Sequence, residues 1–329
     1  MKRKLASIKR IKEIRPIEGA DKIECAIVGG WPVVVNRGDF NEGSLAVFME
    51  IDSWCPYELA PFLSRGKEPR EFNGVKGERL RTVKLRGQLS QGLLLPIPEW
   101  LSDGMVEGSD VTESLGIQKW ERPMPAQLQG QMRGSFPSFL RRTDQERIQN
   151  MDGWVCWDDE YEVTTKLDGS SMTVYWHEGR MGVCSRNVDL KMDQVGNTFV
   201  DMATLLFHDC DFTGLAIQGE LIGPGIQGNR EAINEHQFHV FDIWCIDDQE
   251  YMTPEDRREF CHVMDILHVP VLHECAKLSD IGVGSIESCL RFAEGPSMNN
   301  PVREGVVFKR VDGKFSFKAI NNVFLLGEK

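Results

Sequence analysis

No apolar run in this chain outlasts residues 25–35, and Gly29, Gly30 and Pro32 interrupt even that one. Hydrophobic residues come instead in parcels of about four to eight, the length of strands, and no run approaches the ~20 apolar residues of a membrane span. Between residues 5 and 97 the parcels are rich in Val, Ile and Leu: 5–14, 22–28, 32–36, 44–51, 79–85 and 92–96. Gly29-Gly30, Asn41-Glu42-Gly43 and Gly87 punctuate them as turns. Five or six short strands in about a hundred residues fit a small β-barrel, for which the OB-fold is the leading candidate.

The chain has 329 residues, which predicts two domains. Its character changes over residues 121–150, where Pro123, Pro125, Gly130, Gly134 and Pro137 stand in a Gln-rich stretch that reads as a linker or lead-in segment. Beyond it the pattern is mixed α and β. Strands are expected at 161–167, 172–176, 181–185, 216–222, 238–244, 305–309 and 314–320. Thr253, Pro254, Glu255 and Asp256 supply a cap, a first-turn proline and an acidic first turn for a helix whose apolar face would be Phe260, Val263, Met264 and Leu267. Ile286, Cys289, Leu290 and Ala293 mark a second helix, ended by Gly295-Pro296. The expected division is therefore 1–120 as an OB-like unit, 121–150 as the connecting segment and 151–329 as an α+β domain.

The basic N-terminus is not followed by the apolar core of a signal peptide. A basic first strand accounts for it better than a mitochondrial presequence. Nine scattered cysteines without a CxxC pair argue against a disulfide framework and for a reducing, cytoplasmic setting. His236 and His239 form HxxH, and His273-Glu274-Cys275 is a second tempting triplet, but neither has a second ligand pair at zinc spacing.

Net charge is −12, yet residues 1–120 hold 18 Lys and Arg against 17 Asp and Glu, and the rest hold 20 against 33. Seven Lys and Arg against one Glu crowd residues 1–16. Eight against three Glu crowd residues 62–90: Arg65, Lys67, Arg70, Lys76, Arg79, Arg81, Lys84 and Arg86. One such run reads as a solvated surface; two in one small domain raise a polyanion-binding face to an even alternative.

Gly223-Pro224-Gly225-Ile226-Gln227-Gly228 is formally a GxGxxG after a strand, with Asp242 at a suggestive distance. No helix opens at Gly228, so the dinucleotide reading fails, and no GxxxxGK[ST] is present. Lys166-Leu167-Asp168-Gly169 at a strand end carries more chemistry. Alternate residues of a strand share a face, so Lys166 and Asp168 can enter one pocket. A lysine nucleophile must lose its proton, which a nearby cation or a desolvated pocket promotes, and the acid can hold the cation. Further along stand Ser185-Arg186-Asn187, Gln218-Gly219-Glu220, Phe241-Asp242-Ile243, Glu304-Gly305-Val306-Val307-Phe308-Lys309 and Ser316-Phe317-Lys318. Taken singly each is explained by a turn, a core position or a strand cap; the ordered set is not.

That set, in order and spacing over residues 150–320, resembles the covalent nucleotidyltransferase superfamily of DNA ligases, RNA ligases and mRNA capping enzymes. The whole chain is most similar to RNA ligases of the Naegleria and Deinococcus type, which carry an OB domain before the ligase domain. RTDQERIQN (142–150) and GELIGPGIQGN (219–229) belong to the likeness. The other two classes usually carry an OB domain after the last motif, whereas 11 residues follow Lys318 here, which favours RNA ligase. The implied fold class is α+β: an OB-like β-barrel, then an ATP-grasp-like ligase domain of antiparallel sheets with flanking helices.

The resemblance implies an ATP-dependent RNA ligase working through lysyl-AMP and RNA-adenylate. Lys166 would attack the ATP α-phosphate; Asp168, Glu220 and Glu304 would hold a divalent ion, Mg or Mn; Lys318 would contact the α-phosphate and help depress the Lys166 pKa. Arg186 would engage the ribose or the 3′-OH end, and Phe241 would stack on adenine. Partners would be RNA 3′-OH and 5′-phosphate ends, at nicks in RNA or RNA/DNA duplexes, joined by a monomer without membrane attachment. One departure is Ser316, where the family's last motif often has a first lysine; Lys314 or Lys309 are the candidates to replace it. Rival readings are a DNA ligase, a guanylyltransferase, or an inactive nucleic-acid-binding protein.

Overall fold

The apolar parcels become strands. The computed structural model describes residues 3–101, 104–121, 130–194 and 196–327, and the chain forms two units, Met1–Pro123 with Leu325–Lys329, and Met124–Phe324. Among the described residues no helix is long and apolar enough to cross a membrane.

The first unit contains β1 (Ala6–Pro16), β2 (Ile23–Val28), β3 (Trp31–Asn36), β4 (Leu45–Met49), β5 (Ser53–Pro56), β6 (Arg70–Phe72), β7 (Val75–Arg79), β8 (Thr82–Leu85), β9 (Gln88–Gln91), β10 (Leu93–Leu95) and β11 (Gln118–Lys119). They form the sheets β10-β4-β1-β2-β3 and β11-β5-β7-β6 and the hairpin β8-β9, an OB-type arrangement. A bulge between Ile11 and Glu13 lets β1 pair with β4 along its first half and with β2 along its second. Leu5, Ile8, Val47, Met49, Cys55, Leu80 and Val111 fill the interior. Gly92, just before β10, sits at φ +99°, and a Cβ there would meet the Met49 carbonyl oxygen at 2.5 Å.

The stretch 79–85, expected as one strand, serves two partners. Arg79 ends β7, paired with Asp52 at 2.5 Å and stacked over Trp120. Leu80 turns into the core, and β8 then pairs with β9. Much of the basic charge is neutralised on the spot. Arg3 pairs with Glu50, Arg10 with Glu107, Arg70 with Glu78 and Lys76 with Glu68. Arg65, Lys67, Lys84 and Arg86 are the exposed members of the second run outside those pairs.

The second unit contains β12 (Met132–Ser135), β13 (Glu146–Arg147), β14 (Glu160–Lys166), β15 (Ser170–His177), β16 (Arg180–Ser185), β17 (Val188–Leu190), β18 (Leu215–Ile222), β19 (Gln237–Cys245), β20 (Glu250–Tyr251), β21 (Val271–Lys277), β22 (Gly305–Arg310) and β23 (Ser316–Ile320). Two sheets result, β12-β17-β16-β15-β18-β19-β20 and β13-β23-β22-β14-β21. Their described ladders are antiparallel except that β13 runs parallel to β23, with Arg147 beside Lys318. Of the segment 121–150, β12 pairs with β17, β13 with β23, and Ile148 is fully buried. Pro123 and Pro125 lie outside the described residues.

Helices flank the sheets. Asn197 caps Thr198–Phe207, a helix the sequence patterning does not announce. Thr253 caps Pro254–Val263, and a Ser285–Ser288 capping box starts Ile286–Phe292. The inward face of the helix capped by Thr253 is only half the expected one: Phe260 and Met264 pack on the core, but Val263 and Leu267 do not. Val263 is 71% exposed and Leu267 50%, while Arg257 and Cys261 are buried. The reason is electrostatic: the Arg257 guanidinium bonds Glu162, buried on β14, and donates to His268 Nε2 at 3.0 Å, and Arg258 also bonds Glu162. A buried cation so partnered can take a core position on the same face as Phe260, Cys261 and Met264.

For the site, one connection matters most. β14 and β15 lie in different sheets, and Leu167, Asp168 and Gly169 alone join them. A Cβ on Gly169 would lie 2.4 Å from the Leu221 carbonyl oxygen and 3.0 Å from the Glu220 side chain, so glycine is what allows this crossover to sit against β18.

Candidate active site

Lys166 is the last residue of β14, in register with Gly305 of β22. Its Nζ donates to Glu304 Oε2 at 2.7 Å, across 138 residues of sequence. Burial pulls the ammonium pKa down, but Glu304, Glu220 and Asp168 together outweigh burial and leave it raised. The lysine is therefore held protonated by its acids. Asp168 stands beyond the strand end, in the crossover, so the turn and not strand alternation brings it beside Lys166. Glu220, on β18, accepts from the Gly169 amide at 3.0 Å. Burial first, with the neighbouring carboxylates, pushes its carboxyl up to about 7 against the pull of Lys166.

That shift has a consequence for stability. A carboxyl whose folded pKa exceeds its unfolded one contributes stability that is complete below the unfolded value and lost as pH rises through the folded value. In nucleotide- and metal-free protein, the wild type should therefore lose stability relative to Glu220→Gln between pH ~4.5 and ~7. Parallel thermal melts across that range check it; parallel curves would contradict the shift.

Arg186 and Lys318 share one carboxylate. Asp144 Oδ2 lies 2.8 Å from Arg186 and Oδ1 3.4 Å from Lys318. Thr143 bonds Ser171 at the start of β15 (2.9 Å), and Arg142 reaches Asn187 at 3.3 Å. The segment 142–147 thus gathers the arginine and the lysine, a role for Asp144 that residue-by-residue reading missed; its signal was the RTDQERIQN string itself. Phe241 packs against the cluster of Leu167, Ile222 and Val269, in which Leu167 follows Lys166 and Ile222 stands two residues after Glu220.

Neither proposed substitute for a lysine at 316 is available. Lys309 is buried, bonded to the Asp242 carboxylate and the Phe241 carbonyl oxygen, with its Nζ over the Phe241 ring. Burial lowers its ammonium to about 8 despite Asp242. Lys314 is exposed and lies 3.7 Å from Glu250, beyond the far ends of β22 and β23. The histidines go elsewhere too: His236 Nε2 bonds the Pro224 carbonyl oxygen, and His239 bonds Gln237 and the His268 carbonyl oxygen.

Among the described residues no three His, Cys, Asp or Glu side chains close into a ready-made metal cage. The oxygen donors nevertheless fit a hard divalent ion. Three carboxylates face one ammonium, and such an ion characteristically takes one or two carboxylates and completes its shell with water and substrate phosphates.

An OB-fold domain family matches residues 5–97, and the RNA ligase family matches residues 159–320. Among curated proteins none matches. Solved structures do. An apo variant of the Naegleria gruberi RNA ligase is 42% identical, with 99% of each chain covered and a TM-score of 0.89. A variant of that ligase with AMP and Mn is 43% identical, with 99% of each chain covered and a TM-score of 0.89. The same ligase with pyrophosphate is 43% identical over 98% of each chain, at a TM-score of 0.87.

Proposed function

Because the chain belongs to the RNA ligase family, we propose that it is an ATP-dependent RNA ligase that joins 3′-OH and 5′-phosphate ends at nicks in duplexes. The observation that carries the chemistry is Lys166 at a strand terminus, enclosed by three carboxylates and hydrogen-bonded to Glu304 at 2.7 Å. Lys166 Nζ attacks the ATP α-phosphorus, forming the P–N bond of lysyl-AMP as the bond to pyrophosphate breaks. Glu304 is the group positioned to take the ammonium proton. AMP then passes to the RNA 5′-phosphate, and a 3′-OH displaces it to seal the strand. Lys318 and Arg186, which Asp144 holds in the free enzyme, contact the phosphate and the RNA end. Phe241 stacks on adenine.

Asp168, Glu220 and Glu304 would hold a divalent ion, Mg or Mn, directly or through water. When bound, the ion supplies charge stabilisation and template geometry at the α-phosphate. Around it, the protein's own contribution is to orient Lys166, whose ammonium Glu304, Glu220 and Asp168 keep charged until its proton leaves. Nine free thiols fit a reducing, cytoplasmic setting, and the enzyme acts as a monomer.

Incubation with radiolabelled ATP or GTP and a divalent metal tests the reading. An acid-stable labelled protein should form with ATP alone. Label from GTP indicates a capping enzyme, and no label from either indicates a binding module.

The OB-type unit serves polynucleotide binding, through the basic residues left unneutralised. Replacing Arg65, Lys67, Lys84 and Arg86 together with alanine should leave lysyl-AMP formation unchanged and weaken duplex binding. The log–log salt slope should fall by ~0.9 for each phosphate no longer neutralised on B-DNA, and by about that scale on other duplexes. Binding titrations at several salt concentrations read this directly, and an unchanged slope would move the RNA-binding face elsewhere.

A further inference from the structure

Asp168 has a cationic neighbour that the nucleotidyl-transfer scheme leaves unused. Arg230 Nε lies 3.5 Å from Asp168 Oδ2. The arginine is held from three sides: its guanidinium also donates to the Val302 carbonyl oxygen at 3.3 Å and stacks over the Phe324 ring at 4.7 Å. Its backbone is pinned as well. Asn300 donates to the Arg230 carbonyl oxygen, and the adjacent Glu231, buried, accepts from Ser297 and from the Asn299 amide. Gln227, Asn229 and Ala232 of the same loop all have left-handed φ angles, which the surrounding bonds must sustain.

This loop follows β18, the strand of Glu220, and the segment that pins it, 297–302, leads into Glu304. Arg230 is thus built into the connection between two of the proposed metal-holding acids and aimed at the third. Most partly exposed ion pairs are weak because two long side chains must be ordered to form them. Here the stacking and the Val302 bond have already ordered the arginine, so its charge acts on Asp168 with little further entropic cost.

We propose that Arg230 is a positioning residue that serves as resident counter-ion to Asp168: it keeps the carboxylate oriented in the free enzyme and competes with the incoming divalent ion for it. The proposal rests on the assignment of Asp168 to the metal. Neutralising Arg230 leaves Lys166 facing Asp168, Glu220 and Glu304 in a site more negative by one charge. By linkage, whatever the ion loses by binding beside Arg230 it regains when the arginine is neutralised.

The test is Mn(II) binding to the full-length, nucleotide-free protein, followed by electron paramagnetic resonance at fixed ionic strength. Arg230→Gln should tighten Mn(II) binding by at least ~5-fold, and Arg230→Lys should return it to within about twofold of wild type. In an Asp168→Asn background, Arg230→Gln should have no such effect. A general loss of folding would weaken binding, so tightening is a sign that structural damage cannot produce; melting curves of Arg230→Lys and Arg230→Gln accompany the titration. Unchanged or weaker Mn(II) binding in Arg230→Gln, with Asp168→Asn still impairing it, overturns the counter-ion role alone. If Asp168→Asn leaves Mn(II) binding intact, the assignment of Asp168 to the metal fails, and the inference with it.

Discussion

Lys166→Ala should abolish transfer of AMP to the protein, by at least ~10⁴-fold, because among the described residues no other amine stands at the end of β14 to form the phosphoramidate. Loss of the ammonium also leaves Glu304 without its 2.7 Å partner and three acids facing one another with one cation fewer. A failure of labelling could then reflect a disturbed site instead of a missing nucleophile. The two are separated by the last step of the reaction. Sealing of an RNA whose 5′ end is already adenylylated needs no lysine nucleophile, so the variant should retain it. Labelling of Lys166→Ala at the wild-type rate would mean that another residue accepts AMP. Loss of both activities would assign the lysine a structural part as well.

Asp168→Ala, Glu220→Ala and Glu304→Ala should each slow lysyl-AMP formation by at least ~100-fold, the scale of losing one preorganised electrostatic partner. Their environments differ: Glu304 bonds Lys166, Glu220 bonds the Gly169 amide, and Asp168 faces Arg230. If they act as one unit on the metal and the α-phosphate, double substitutions will cost less than the product of the singles. Single-turnover labelling rates across the double-mutant cycles decide this. Multiplicative losses would instead assign three independent roles.

Local chemistry was readable in the sequence. The Val- and Ile-rich parcels of the first unit other than 79–85, the cap at Thr253 and the terminal position of Lys166 all depend on neighbours within a few residues, and each of these is matched by an element within a residue or two of its expected place. Where a parcel served two partners, as at 79–85, the sequence ran them together, because pleat periodicity carries no record of which strand lies alongside.

The ordered motifs marked Lys166, Asp168, Glu220 and Glu304 long before any geometry, but not what each one touches. Lys166 meets Glu304 across 138 residues, and Lys318 meets Asp144 across 174. Only the tertiary structure put Arg257 in the core and left Val263 exposed, committed Lys309 to Asp242 and turned Arg230 toward Asp168. The division has a physical basis. Backbone conformation and apolar patterning are set by short-range sterics and the burial of adjacent side chains, so they repeat along the chain. A charged side chain can be buried, or aimed at another, only where a partner of opposite sign offsets its desolvation, and the fold alone determines which partner arrives.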